Sequence, residues 1–523
     1  MSIISVNNLT FAYETSYENI FENTSFEIDT DWKLGFIGRN GRGKTTFLRL
    51  LLGKYKYGGT IAASTKFDYF PFETDDNLST LETARNIIAP YSLWEDEMNN
   101  CIAENSEESM KKYGEILDLY YQNDGYIINE LIEKEIRKLA VTTDVLTRNF
   151  STLSNGERTK VMLAALFLKK NNFLLIDEPT NHLDLDGRNI VAEYLKSKKG
   201  FILVSHDRHF LDSVVDHILS INKCNIEVQK GTFSSWQENK DRQDYYELSQ
   251  NEKLKKEITQ LEVSFRRTAG WSDKVEKSKI GEHVYDRGAV GHKAAKMMKR
   301  AKSIEHRKEK SIDEKKKLLK NIEKFDSLKV IPKSYHKTNL INVDNLVISF
   351  NNRTIINNLS FVVNQSDRVA LRGKNGSGKS SIIKILTGGL SNYEGSVYMG
   401  SNLNISYVPQ DTSFLKGSFS DFITNENIDE SIFRTLLAKL DMDSDDFSKS
   451  LEELSEGQKK KVLIAKSLSE SAHIYIWDEP LNFIDVYSRI QIEELIKEFK
   501  PTLIFVEHDF MFNENIATNV IEL

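Results

Sequence analysis

Two stretches of this chain share the pattern Gly-x-x-x-x-Gly-Lys-Thr/Ser: Gly38-Arg39-Asn40-Gly41-Arg42-Gly43-Lys44-Thr45-Thr46 and Gly373-Lys374-Asn375-Gly376-Ser377-Gly378-Lys379-Ser380-Ser381. Glycines in such a loop let successive backbone N–H groups converge on phosphate oxygens, and a helix beginning behind them adds a favourable field. Lys44 and Lys379 would reach β- and γ-phosphates, and the hydroxyls of Thr45 and Ser380 would ligate Mg2+. Further along, the apolar runs Phe173 to Ile176 and Ile474 to Trp477 end in paired acids, Asp177-Glu178 and Asp478-Glu479. The first acid of each pair suits Mg2+, and the second suits a general base that orients an attacking water. His206 and His508 lie 28 and 29 residues after those glutamates, each behind another apolar run, which favours a γ-phosphate contact over a purely structural histidine. Leu153-Ser154-Asn155-Gly156-Glu157 and Leu454-Ser455-Glu456-Gly457-Gln458 complete the set. At a helix start, the Ser hydroxyl and Gly N–H of such a segment can meet the γ-phosphate of a nucleotide held by another domain.

These pieces recur in one order, which makes the chain a tandem duplication. Val6-Asn7-Asn8-Leu9 also returns, as Val343-Asp344-Asn345-Leu346. The phosphate loops follow apolar segments, Lys33 to Ile37 and Arg368 to Leu371, and precede apolar-periodic ones, so strand–loop–helix is the expected setting. From Lys44 to Ser154 is 110 residues but from Lys379 to Ser455 only 76, so the first copy carries about 34 extra residues, expected as short helices within about 75–140. Between the copies, Leu254, Ile258, Leu261 and Phe265 mark one helical face, and Ile312, Leu319 and Ile322 a weaker return stripe. Gly281 to Gly291 falls between them, which predicts an antiparallel helical hairpin projecting about 60 Å for 40 residues.

The 523 residues suggest two to four domains, and 40% hydrophobic with 28% charged residues excludes a disordered chain. No window reaches the ~18 consecutive apolar residues of a membrane span. Two cysteines, Cys101 and Cys224, cannot make a disulfide framework or a four-cysteine zinc site. With Met1 to Val6 unlike a signal peptide, a cytoplasmic location is expected. The net charge of −7 argues against a polyanion partner on average, but residues 241–330 hold 24 Lys and Arg against 16 Asp and Glu, leaving −15 for the rest. A basic segment within an acidic protein is what a local polyanion contact requires.

With both Leu-Ser-x-Gly-Glu/Gln segments in place, the sequence resembles the ATP-binding cassette (ABC) superfamily over essentially both repeats. The resemblance implies an α/β fold: two tandem P-loop ATPase domains in a head-to-tail sandwich with two composite sites for ATP and Mg2+. One site would use Lys44, Thr45, Asp177, Glu178 and His206, closed by Ser455 and Gly457. The other would use Lys379, Ser380, Asp478, Glu479 and His508, closed by Ser154 and Gly156. Tyr13 and Phe350 fall where the family stacks an aromatic on adenine, although strand ends also carry such residues as core. Tyr407-Val408-Pro409-Gln410 supplies the family's Mg2+-contacting glutamine, Gln410, whereas Tyr69-Phe70-Pro71-Phe72 has Phe at that place. The segment Leu481-Asn482-Phe483-Ile484-Asp485 is looser than Thr180-Asn181-His182-Leu183-Asp184. These departures put equal activity of the two sites in doubt, while both base glutamates remain, so hydrolysis at either site is chemically possible.

Fused cassettes, an insertion in the first and a charged helical linker resemble the ABC-F translational ATPases. The insertion matches that family's arm, and the hairpin its tRNA-interaction motif. The expected domains are 1–237, 238–332 and 333–523. Gly270 to Lys277 and the stretch Tyr285 to Lys302, with six basic residues against one acid, look like the linker of Lsa-type antibiotic-resistance ABC-F proteins. That resemblance implies a monomer bound at the E site of the 70S ribosome, its linker touching 23S rRNA and P-site tRNA through Arg287, His292, Lys293, Lys296, Met297, Met298, Lys299, Arg300 and Lys302. It would dislodge lincosamide, pleuromutilin or streptogramin A drugs. A housekeeping translation factor and the ATPase of a drug exporter are the alternatives.

Overall fold

The computed structural model describes residues 2–14, 19–74, 77–181, 183–222, 225–277, 330, 332–350, 353–442 and 444–523. Two compact units result, Met1–Ser234 with Asp326–Leu523, and Ser235–Phe325. Within the first unit each repeat builds the same pair of sheets. The central sheet of the first repeat has six strands in the order Lys66–Phe70, Asn172–Asp177, Phe201–Val204, Lys33–Ile37, His217–Asn222, Asn225–Lys230, all neighbours parallel except the last pair. The second repeat has five parallel strands, Ile405–Val408, Ile474–Asp478, Leu503–Val506, Arg368–Arg372 and Asn519–Glu522. Strands buried on both faces read as continuous apolar runs, and Phe201–Val204 and Ile474–Asp478 are buried at every position.

Beside each central sheet lies a three-stranded antiparallel sheet: Phe21–Asp29, Ile3–Phe11, Gly58–Ala62 in one repeat and Arg353–Asn364, Asn339–Phe350, Glu394–Met399 in the other. The duplicated Val-x-Asn-Leu segment is a bulge within it. Asn8 and Asn345 take left-handed backbone angles (φ 49° and 50°), and the pairing register shifts between Val6 and Leu9 and between Val343 and Leu346.

The extra residues of the first repeat form two antiparallel helices, Tyr91–Glu104 and Glu107–Gln122, set between Thr80–Ile88 and Ile128–Lys138. The second repeat passes directly from Phe419–Asn425 to Glu430–Lys439. Tyr91 anchors the pair at its base: its ring meets Trp94 and Tyr120 edge-on and its hydroxyl donates to the Asn123 carbonyl at 2.6 Å.

The helix Phe233–Lys277 runs 45 residues, about 68 Å at 1.5 Å per residue, and its span includes Leu254, Ile258, Leu261 and Phe265. The return stripe at Ile312, Leu319 and Ile322 lies outside the described residues, as do the Gly281 to Gly291 stretch and the contact candidates Arg287, His292, Lys293, Lys296, Met297, Met298, Lys299, Arg300 and Lys302. Among the described residues no helix is long and apolar enough to cross a membrane.

Candidate active site

Each phosphate loop follows an interior strand of its sheet, Lys33–Ile37 or Arg368–Arg372, and closes on a glycine in the left-handed backbone region that glycine takes without steric cost. Gly43 (φ 92°) and Gly378 (φ 102°) precede the helices Lys44–Leu51 and Lys379–Leu386. A β-carbon on Gly43 would sit 2.5 Å from Ile20 Cγ2. The Lys44 ammonium folds back on the carbonyls of Gly38 (2.7 Å) and Arg39 (3.1 Å) and on Asn40 Oδ1 (3.3 Å). Lys379 does the same with Gly373 (2.8 Å) and Lys374 (2.9 Å). Burial lowers the pKa of both lysines, opposed at Lys44 by Asp485, Glu178 and Asp177, and at Lys379 by Glu479, Asp184 and Asp478.

The acid pairs end the neighbouring strands. Thr45 donates to Asp177 Oδ2 at 3.2 Å and Tyr69 donates to the same oxygen at 2.8 Å, while Ser380 hydrogen-bonds Asp478. Glu178 and Glu479 both have positive φ (52° and 49°), and their N–H groups bond to the carbonyls of Val204 (2.9 Å) and Val506 (3.0 Å). This turn aims each carboxylate at a histidine: His206 Nε2 lies 3.4 Å from Glu178 Oε1, and His508 Nε2 lies 3.4 Å from Glu479 Oε1.

Geometry repeats here but electrostatics do not. Burial, then the adjacent Asp177, push Glu178 up to about 8, and burial with Lys44 holds His206 well below its usual value. Burial works against Glu479 as well, but the hydrogen bond and charge of His508, with Lys460 and Asn482, hold it below the usual carboxylate range. Gln410 donates to Glu479 Oε2 at 2.8 Å and Asn482 to the same oxygen at 2.7 Å. Phe72, the first-repeat counterpart of Gln410, is substantially exposed at 39%.

The repeats face each other across these loops. A cavity of about 780 Å3 brings Ser154, Gly156, Asp184 and Arg188 of the first repeat against Asn375, Gly376, Gly378, Lys379, Ser380, Ser381, Gln410, Glu479 and His508 of the second. At the opposite junction Asn40 Nδ2 donates to the Phe483 carbonyl at 2.8 Å, and a β-carbon on Gly457 would meet that carbonyl at 2.6 Å and Asn40 Nδ2 at 3.1 Å. Ser154 and Ser455 each cap a helix through a reciprocal box with Glu157 and Gln458, so the Ser-x-Gly-Glu/Gln spelling is also a helix-start signal. Tyr13 hydrogen-bonds Thr46 at 2.8 Å and meets Phe11 and Tyr55 edge-on, leaving it 36% exposed beside the loop. Phe350 closes the strand Asn339–Phe350.

Sequence reasoning passed over several residues that the structure brings to these junctions. Asp184 and Asp485 each face the P-loop lysine of the other repeat, and Lys461 pairs with Asp485 at 3.2 Å. Their signal was present: each aspartate follows the strand-end Asp by seven residues, and Lys160 and Lys461 each follow the capping Ser by six. Tyr69 left a fainter trace, as the repeat counterpart of Tyr407.

The donors fit Mg2+, which takes one or two protein oxygens and completes its shell with phosphates and water. Asp478 Oδ1 is buried without a hydrogen-bond partner, and burial pushes Asp478 up to about 6, which fits a carboxylate whose charge a divalent cation would stabilise.

The sequence profile described as ABC transporter matches residues 21–181 and 356–482, one stretch in each repeat. The chain belongs to the ABC transporter family. It is an ATP-binding ATPase, with likeness along its whole length to ABC-F ATPases. The ribosome protection protein VmlR of Bacillus subtilis (strain 168) is 26% identical over 99% of this chain and 86% of its own length. The energy-dependent translational throttle protein EttA of Escherichia coli (strain K12) is 26% identical over 96% and 89%. Among solved structures, the archaeal ribosome recycling factor aABCE1, in complex with stalk protein aP1, superposes with a TM-score of 0.60 at 16% identity, covering 98% of this chain and 87% of that one, a likeness of fold.

Proposed function

We propose that this ATPase binds the 70S ribosome at its E site in an ATP-closed form and protects it from antibiotics. The support that carries most weight is the pairing of the two cassettes within one chain, each phosphate loop facing the other's Ser-x-Gly segment, together with full-length likeness to a ribosome protection protein. The basic character of residues 241–330 adds to it, since lysines and arginines there suit rRNA and tRNA phosphates. In this reading the domains are 1–237, 238–332 and 333–523, and the protein acts as a monomer in the cytoplasm. The linker reaches toward the peptidyl-transferase centre, displaces P-site tRNA and dislodges lincosamide, pleuromutilin or streptogramin A drugs.

The chain's residues perform the ATP cycle as follows. Lys44 and Lys379 leave their backbone carbonyls for the β- and γ-phosphates, and the loop N–H groups cradle the same oxygens. Thr45 with Asp177, and Ser380 with Asp478 and Gln410, would hold Mg2+, which neutralises charge on the phosphates. Glu178 or Glu479 takes a proton from the water that attacks the γ-phosphorus, the bond to the β–γ bridging oxygen breaks, and ADP leaves. His206 and His508 orient the γ-phosphate. Ser154, Gly156, Ser455 and Gly457 contact it from the opposite cassette, so ATP favours closure and hydrolysis releases it.

Co-sedimentation of the Glu178→Gln/Glu479→Gln variant with 70S ribosomes tests this. Salt-resistant binding with ATP and not ADP is expected. Absence of binding while ATP remains bound overturns the reading. The likeness to a translational throttle protein favours a second reading, a housekeeping translation factor. Selective growth in the named drugs on expression separates the two.

A further inference from the structure

The two cassettes tie their His-bearing strand ends to the following loops by different chemistry. In the first, Ser205 Oγ lies 3.3 Å from Thr180 Oγ1, and Asp207 N–H donates to Ser205 Oγ at 3.2 Å. In the second, those positions are Glu507 and Leu481. Leu481 has no hydroxyl to offer, and the longer Glu507 reaches past the side chain to the backbone: its Oε1 accepts from Leu481 N–H at 2.7 Å, and its Oε2 from His508 N–H at 3.2 Å. Glu507 is only 5% exposed, with Arg489 as its counter-charge and Glu479, Asp509 and Lys460 nearby.

The segment that Glu507 holds serves the other cassette's site. Two residues after Leu481, the Phe483 carbonyl accepts from Asn40 of the Lys44 loop, at a left-handed φ of 63° that leaves the segment little slack. Asp485 then faces Lys44 and pairs with Lys461. Arg489 clasps both ends of the segment, donating to the carbonyls of Leu481 and Ile484 at 2.9 Å each.

We propose that Glu507 is a positioning residue that couples the two ATP sites, tying the strand end of His508 to the segment 481–485 that shapes the site at Lys44. A change of His508 position when its own site binds or loses γ-phosphate then moves Leu481, and through Phe483 the Asn40 loop. In the first cassette the tie from Ser205 to the following segment is to the Thr180 hydroxyl, whereas Glu507 holds the Leu481 backbone N–H, so the traffic is stronger in one direction.

This inference rests on both sites hydrolysing ATP, and two measurements keep its failure distinct from a failure of that reading. In a Glu479→Gln background only the Lys44 site turns over, and in Glu178→Gln only the Lys379 site. Glu507→Ala should lower kcat at the Lys44 site on the order of tenfold, less than the ~10²-fold that a full 1 Å misplacement can cost, with KM for ATP changed less than about twofold. The paired swap Leu481→Thr/Glu507→Ser, which recreates the first cassette's hydroxyl contact, should recover most of that loss. Loss confined to the Lys379 site, or no recovery in the swap, overturns the proposal. Independently of turnover, hydrogen exchange at the amides of 481–485 should accelerate in Glu507→Ala and stay slow in Glu507→Gln, which keeps an acceptor for Leu481. Unchanged exchange in Glu507→Ala overturns it as well.

Discussion

Glu178 and Glu479 each follow a strand-end aspartate, share a left-handed backbone turn and face a histidine at 3.4 Å, yet they differ in charge at neutral pH. Glu178 Oε1 is buried without a hydrogen-bond partner, and its pKa is pushed up to about 8. Glu479 receives Gln410, Asn482 and His508 and is held as a carboxylate. In the proposed role of base each glutamate must be deprotonated to accept a proton, so raising pH through about 8 would activate Glu178 and leave Glu479 unchanged. The Glu479→Gln variant, dependent on Glu178, should gain turnover several-fold between about pH 7 and 9, whereas Glu178→Gln should be flat there. Parallel single-site pH profiles check this.

The phosphate-loop helices show how one backbone angle controls an element. Gly41 and Gly43 both have positive φ (81° and 92°), but nothing lies within 4 Å of a β-carbon on Gly41, whereas on Gly43 it would meet Ile20 Cγ2 at 2.5 Å and Phe21 Cζ at 3.2 Å. Gly41→Ala should cost about 1–2 kcal/mol, the left-handed penalty alone. Gly43→Ala adds a steric clash of about 1–3 kcal/mol. Thermal unfolding of the two variants should rank Gly43→Ala clearly lower, and ATP affinity should follow the same order.

Across the whole cassette pair the internal symmetry is incomplete. Arg208 of the first cassette makes a buried two-pronged ion pair with Glu493 of the second. Their repeat counterparts, Phe510 and Ala192, have no charge to pair and line one crevice instead, with Phe510 against His209 at 4.8 Å between ring centres. Removing one partner of a buried pair strands the other's charge, typically about 3–5 kcal/mol, while apolar replacement of both is often neutral. Arg208→Met and Glu493→Met should each loosen the cassette pair more than the double variant does. A double-mutant cycle on denaturant midpoints, with small-angle scattering to follow opening, measures it.

Local patterns in the sequence determined the duplication, both phosphate loops, the strand-end acids, the paired histidines and the place of the helical insertion, because each is set by contiguous residues or a fixed spacing. Glycine permits the loop, apolar runs make the buried strands, and the 110-against-76 spacing marks the extra helices Tyr91–Glu104 and Glu107–Gln122. What only tertiary structure decided are the contacts between residues hundreds of positions apart. Asn40 with Phe483, Asp485 with Lys44, Arg208 with Glu493, and the unequal pKa shifts of two glutamates that share an Asp-Glu-Pro segment are of this kind. Charge state depends on burial and on which side chains the fold delivers, and the adjacent aspartate, present in both pairs, does not by itself distinguish them.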